Sequence, residues 1–142
     1  MTSSNGGRAV ARLRAAGDED VIVYVGSPMN AAALGRHLRE RDRDVHLVSS
    51  GSKGEVAPED HVGATLVSRY LDGLPPAETE LALFRRELRR AKGLEYVERH
   101  ELRRRDVLEY AMNLNSREVL PRLEGEALYD VGRGDRAAAA SD

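Results

Sequence analysis

Two β-branched runs, Val21-Ile22-Val23-Tyr24-Val25 and Val45-His46-Leu47-Val48-Ser49, flank a stretch with helical periodicity. Runs of this kind read as strands buried on both faces of a parallel sheet. Between them, Gly26 to Asn30 reads as a loop, with Asn30 placed to cap a helix from about Ala31 to Arg41. That helix lines up Ala33, Leu34, His37 and Leu38 on one face. Strand, loop, helix and strand make a βαβ unit, whose connection is right-handed and whose ligands collect at the carboxyl ends of the strands. The loops at those ends are GSPMN, residues 26–30, and SSGSKGEVAPED, residues 49–60.

The second loop feeds a helix from Pro58, a favoured first-turn residue, to about Leu71, with Val62, Leu66, Val67 and Tyr70 as its apolar stripe. Asp72-Gly73-Leu74-Pro75-Pro76 stops it. A short helix is expected earlier, from Arg8 to Ala16. Beyond Ala77 the pattern is helical throughout. One helix carries Leu81, Leu83, Phe84 and Leu88, a second spans Leu102 to Leu114, and a last one runs from a Ser116 cap to Leu123. The tail from Gly132 has no core-forming residues and is expected to be disordered, which leaves one domain over residues 1–131.

Composition narrows the class. Apolar residues at 41% and charged residues at 32% describe a globular protein in water, with a cytoplasmic location as the default. Cysteine is absent, which removes disulfides, thiolate metal sites and a cysteine nucleophile. The net charge of −2 supplies no global field for nucleic acid or an anionic membrane. No apolar run is long enough to span a membrane or to act as a signal peptide. The RRELRR and RRR runs between Arg85 and Arg105 are interleaved with Glu87, Glu95, Glu98 and Glu101. A solvated helix laced with ion pairs is preferred there over a nucleic-acid face.

Three places carry chemistry. Ser3-Ser4-Asn5-Gly6-Gly7-Arg8 is written as an anion-binding loop at a helix start, through backbone amides, hydroxyls and the Arg8 guanidinium. The same residues also read as a plain helix cap, and by spacing alone that reading is favoured. Glu59 and Asp60, with Glu55 a weaker third, are oxygen ligands suited to Mg²⁺. Taken alone, they are read in preference as an ordinary first helical turn, where acidic side chains complement the helix dipole. His37, His46, His61 and His100 lack metal-type spacing, and His37 on an apolar face is expected to be packed.

Taken in order, these segments resemble the 2-phosphosulfolactate phosphatase family. That family has a Thr-Thr-Asn-Gly-Thr-Arg-type loop, a Gly-Ser-x-x-Asn-Ala segment and a Gly-x-x-Gly-x-x-x-x-Glu-Asp segment. They appear here as Ser3 to Arg8, as Gly26-Ser27 with Asn30-Ala31, and as Gly51-Ser52-Lys53-Gly54 with Glu59-Asp60. Gly7 stands where the family has a hydroxyl residue, and Ser49-Ser50 where it typically has Cys-Ala or a small apolar pair. The resemblance runs from Thr2 to about Val131 and covers the carboxyl-terminal half of a family member. It implies an α/β fold, a three-layer α/β/α sandwich with a mostly parallel sheet, here shortened at its amino terminus and helical in its carboxyl-terminal half.

The activity implied is Mg²⁺-dependent removal of phosphate from 2-phosphosulfolactate, a step towards coenzyme M, or from a related phosphorylated acid, and without the amino-terminal half the chain alone is expected to be catalytically weak or silent. By position, Asn5, Gly6, Gly7 and Arg8 would cradle phosphate, with Arg8 stabilising charge. Asn30, Gly51 and Gly54 would shape the pocket, and Glu59 and Asp60 would be the catalytic, metal-side carboxylates. A second copy or a separate amino-terminal partner is expected to cover the strand face left open. The alternative is a non-catalytic anion-binding or interaction module on the same scaffold.

Overall fold

Two helices packed face to face form the centre of the molecule. The computed structural model describes residues 4–15, 20–51, 55, 57–90, 110 and 112–132. In chain order its elements are α1 (Ser4–Ala15), α2 (Ala31–Arg39), α3 (Pro58–Leu71), α4 (Glu78–Arg90), β1 (Pro121–Glu124) and β2 (Ala127–Asp130). Helix α2 buries Ala31, Ala33 and Leu34 against Val62, Leu66 and Val67 of α3, and Leu88 of α4 joins the same core with Leu114 and Leu120. The apolar stripes read for α2 and α3 are the faces that pack, while in α4 Leu81, Phe84 and Leu88 pack and Leu83 is exposed.

Small side chains let α2 and α3 come very close. A Cβ on Gly35 would stand 2.5 Å from Tyr70 Cβ and 2.8 Å from the Val67 carbonyl oxygen, so only glycine fits at this crossing. Helix α3 then ends where the sequence indicates. The Leu74 amide donates to the Arg69 carbonyl and the Gly73 amide to the Tyr70 carbonyl, the paired bonds of a Schellman stop. Along α4, Arg85 pairs with Glu78, Arg90 with Glu87, and Arg69 of α3 with Glu80, as expected of a solvated, charge-laced surface.

The expected three-layer sandwich with a mostly parallel sheet is not what forms. Among the described residues there are four helices and one two-stranded antiparallel sheet, β1 against β2. Residues 21–25 and 45–49 form no named strand, and among the described residues no ladder joins them. The first run instead lies antiparallel along β1, with an isolated bridge between Tyr24 and Arg122. There the Val25 amide donates to the Pro121 carbonyl and the Leu123 amide to the Val23 carbonyl. Burial of β-branched runs on both faces requires neighbouring strands, and here the core is made by helix packing instead. Val21, Ile22, Val25, Leu47 and Val48 are consequently exposed.

The expected helix from Ser116 to Leu123 is also corrected. Residues 121–124 are β1, and Glu124 opposes Ala127 across a two-residue loop. Gly125 sits there at φ 56°, the positive-φ position that primed hairpin turns reserve for glycine. Pro121 is tolerated as the first residue of the strand. Ser116 caps nothing; its hydroxyl is buried without a partner. Helix α1 starts at Ser4, four residues before the expected start. Most of the expected helix from Leu102 to Leu114, and residues 133–142 of the tail, lie outside the described residues.

Candidate functional site

The start of α3 and the loop before it hold the densest set of polar contacts with chemical potential. Pro58 opens the helix, with Ala57 at the cap position, and Glu59 and Asp60 fall in its first turn. Acidic groups favour that position because the helix dipole presents positive partial charge there. Asp60 reaches back to the loop. Its Oδ2 accepts from the Ser50 hydroxyl at 2.8 Å, the Gly51 amide at 2.8 Å and the Ser49 hydroxyl at 3.3 Å. Three donors on one carboxylate oxygen fix the side chain, and among the described residues none donates to Oδ1.

Gly51 makes this turn possible. Its φ is +65°, and a Cβ would lie 2.7 Å from the Glu55 carbonyl oxygen. Side chains other than hydrogen are excluded on both counts. Glu59 is the counterpart of Asp60: its Oε2 is buried and has no hydrogen-bond partner. A carboxylate oxygen without water or a donor is costly, so this atom is the one a hard cation would satisfy. Among the described residues no group of three or more His, Asp or Glu converges as a ready-made metal cage. Any Mg²⁺ here would complete its shell with water and substrate oxygens, which is usual for this ion.

The remaining sequence candidates are placed differently. Asn30 is 3% exposed and fully engaged. Its Oδ1 accepts from the Ser27 amide and hydroxyl, and its Nδ2 donates to the Val25 and Val119 carbonyls. It ties the 26–30 loop to the segment before β1, and its side chain makes no cap bond to α2. That cap comes from Asn115, whose Oδ1 accepts from the Ala32 amide while its Nδ2 donates to Tyr70 Oη. Asn115 holds φ 56°, a conformation that asparagine tolerates better than most residues. No local pattern links residues 32 and 115, so nothing in the sequence singled it out.

Asn5, Gly6, Gly7 and Arg8 lie in the first turns of α1 and do not form a separate loop. Arg8 is exposed. The structure therefore joins Gly51 to Asp60, with Ser49 and Ser50 added, and Glu59 is the residue before Asp60 in the same helical turn. Among the described residues no hydrogen bond joins Asn30 or Arg8 to this group. Gly54 lies outside the described residues. Among the histidines, His37 is packed as expected, its Nε2 accepting from Arg41 Nε and lying 3.0 Å from Tyr24 Oη. His46 and His61 are exposed.

A loop whose hydroxyls and amide hold one carboxylate, with a second carboxylate next to it in sequence, makes the start of α3 an oxygen-rich polar cluster. The 2-phosphosulpholactate phosphatase family model matches residues 1–126, and the chain belongs to that family. Over 90 residues the chain is 38% identical to a protein of Symbiobacterium thermophilum named "Probable 2-phosphosulfolactate phosphatase". The match takes in 62% of this chain and 37% of the relative, so the chain spans little more than a third of that protein's length. No solved structure matches the chain. Among the described residues no helix is long and apolar enough to cross a membrane.

Proposed function

We propose that this chain serves the Mg²⁺-dependent hydrolysis of a small phosphorylated acid, 2-phosphosulfolactate or a close relative, and contributes the carboxylate loop of the site. Family membership supports the reaction class. The observation that carries the residue assignment is the buried, partnerless Oε2 of Glu59 next to the clasped Asp60. When bound, Mg²⁺ would neutralise phosphoryl oxygens and lower the pKa of a water.

The chain's own residues have separate tasks. Glu59 would hold the cation through Oε2. Asp60 is kept in one orientation by Ser49, Ser50 and Gly51 on Oδ2, and its Oδ1 would accept a proton from an attacking water. The hydroxyls and the amide cost no reorganisation at the moment of reaction, since they are already bonded to their acceptor.

Inorganic phosphate added with Mg²⁺ is expected to raise the thermal midpoint. Binding at 100 times the dissociation constant stabilises by about 2.7 kcal/mol, which corresponds to roughly 5–10 °C for a domain of this size. Glu59→Gln removes the charge while keeping the shape, and is expected to abolish the Mg²⁺-dependent part of the shift. A shift that is equal in Glu59→Gln, or equal in chelator, would overturn the assignment.

A further inference from the structure

We infer that His37 and Arg41 form an acid-sensitive latch, in which one proton taken up by the imidazole releases Arg41 and loosens the chain that leaves α2. The inference stands on hydrogen-bond donors outside the carboxylate loop. Its test reads no activity, so it holds or fails apart from the proposed reaction.

The proton state of His37 follows from the group that faces it. Arg41 Nε lies 3.0 Å from His37 Nε2 and donates to it. A guanidinium stays protonated at any pH a folded protein meets and has no lone pair to offer, so it can only donate. Nε2 is therefore the bare nitrogen of a neutral ring, with the ring proton on Nδ1. Tyr24 Oη also lies 3.0 Å from Nε2. A phenol donates to a bare nitrogen and accepts from a protonated one. Tyr24 is thus compatible with both states of the ring, and Arg41 with only one.

Burial makes the difference count. His37 is 8% exposed, with its ring edge-on to that of Tyr24. A proton added at Nε2 would set N–H against N–H and bring two positive charges together in a poorly solvated place. Arg41 is exposed, so it is the partner able to leave. The other charged and titratable groups around the ring are already engaged. Arg122 of β1, opposite Tyr24, is paired with Glu124, and Arg36 on α2 with Glu118. From α3, Tyr70 packs at Gly35 and its hydroxyl accepts from Asn115.

The latch sits where α2 ends. The Glu40 amide donates to the Arg36 carbonyl and the Arg41 amide to the Leu38 carbonyl. The Arg43 amide donates to the Arg41 carbonyl, and the Arg43 guanidinium to the Asp20 carbonyl. Residues 40–44 are exposed, and among these bonds only that from the Arg41 side chain reaches a buried side chain. The folded ring keeps Nε2 bare, whereas the unfolded ring takes up a proton near the ordinary imidazole value of about 6.5. The latch's contribution is therefore present above that pH and lost as pH falls below it.

NMR of the full 142-residue chain on both sides of that pH tests the latch. At pH about 7.5, His37 is expected as the Nδ1–H tautomer, with the Arg41 Nε–H protected from exchange. At pH about 5.5, that N–H and the amides of residues 40–43 are expected to lose protection roughly tenfold, after allowing for the intrinsic effect of pH. His37→Gln keeps an acceptor for Arg41 and does not titrate, so it is expected to protect the segment equally at both pH values. Arg41→Gln, a change at an exposed position, is expected to show the loosened segment at both. An Nε2–H tautomer at the higher pH would overturn the inference. So would equal protection of the parent at both pH values, or an acid response in Arg41→Gln as large as in the parent.

Discussion

Gly35→Ala is expected to destabilise the fold by about 3 kcal/mol or more, as read from chemical denaturation with an unchanged m-value. In an ordinary exposed helix the same change stabilises, because alanine exceeds glycine in helix propensity by roughly 1 kcal/mol. The sign therefore reports the packing. The added Cβ would meet Tyr70 Cβ at 2.5 Å, the Val67 carbonyl at 2.8 Å and the Leu71 amide nitrogen at 3.0 Å. Two of these are backbone atoms of α3 that move only if the helix moves, and Leu66 and Val67 behind them are buried. A neutral or stabilising Gly35→Ala would mean that α2 and α3 do not cross at this distance.

Asn30→Ala is the second large expected loss, about 2–4 kcal/mol. Removing the side chain strands the Val25 and Val119 carbonyls and the Ser27 amide in a site where the parent residue is almost wholly buried. The bond to Val119 spans 89 residues of sequence and ties the loop after residue 25 to the chain entering β1. Exchange at the Val25 amide, which donates to Pro121, should rise in parallel with the lost stability. A variant as stable as the parent would return Asn30 to the role of a pocket residue.

These two positions show what was legible in the sequence. The stripe Val62, Leu66, Val67 and Tyr70 and the face Ala33, Leu34, His37 and Leu38 follow a 3.6-residue period, and the structure packs those faces. Helix boundaries at Pro58 and Asp72 were marked by proline and glycine. Sheet partnership was not legible. A β-branched run signals an extended backbone, but only the rest of the chain decides whether a neighbour lies beside it. Residues 21–25 found β1, a strand that had read as helix, because Arg122, Leu123 and Glu124 carry no β-branch to announce it. Gly125 and the paired lengths on either side were the available hairpin signal.

In the candidate site, the acidic pair at 59–60 was legible from its place after a glycine-bearing loop. The division of labour within the pair was not. Asp60 is bound by Ser49, Ser50 and Gly51, whereas Glu59 keeps a buried oxygen open, and only three-dimensional proximity separates them. Asn30 and Asn115 illustrate the opposite case. One reads as a cap and is an internal tie; the other carries no signal and supplies the cap.

The central claim is that Glu59 serves a Mg²⁺-dependent phosphatase site, and phosphate release from 2-phosphosulfolactate tests it most directly. The full chain is expected to release inorganic phosphate with Mg²⁺ present and none in chelator, with the rate falling roughly 100-fold in Glu59→Gln at an unchanged thermal midpoint. Release that is equal in Glu59→Gln and the parent, or no release from the parent under any Mg²⁺ concentration, would contradict it.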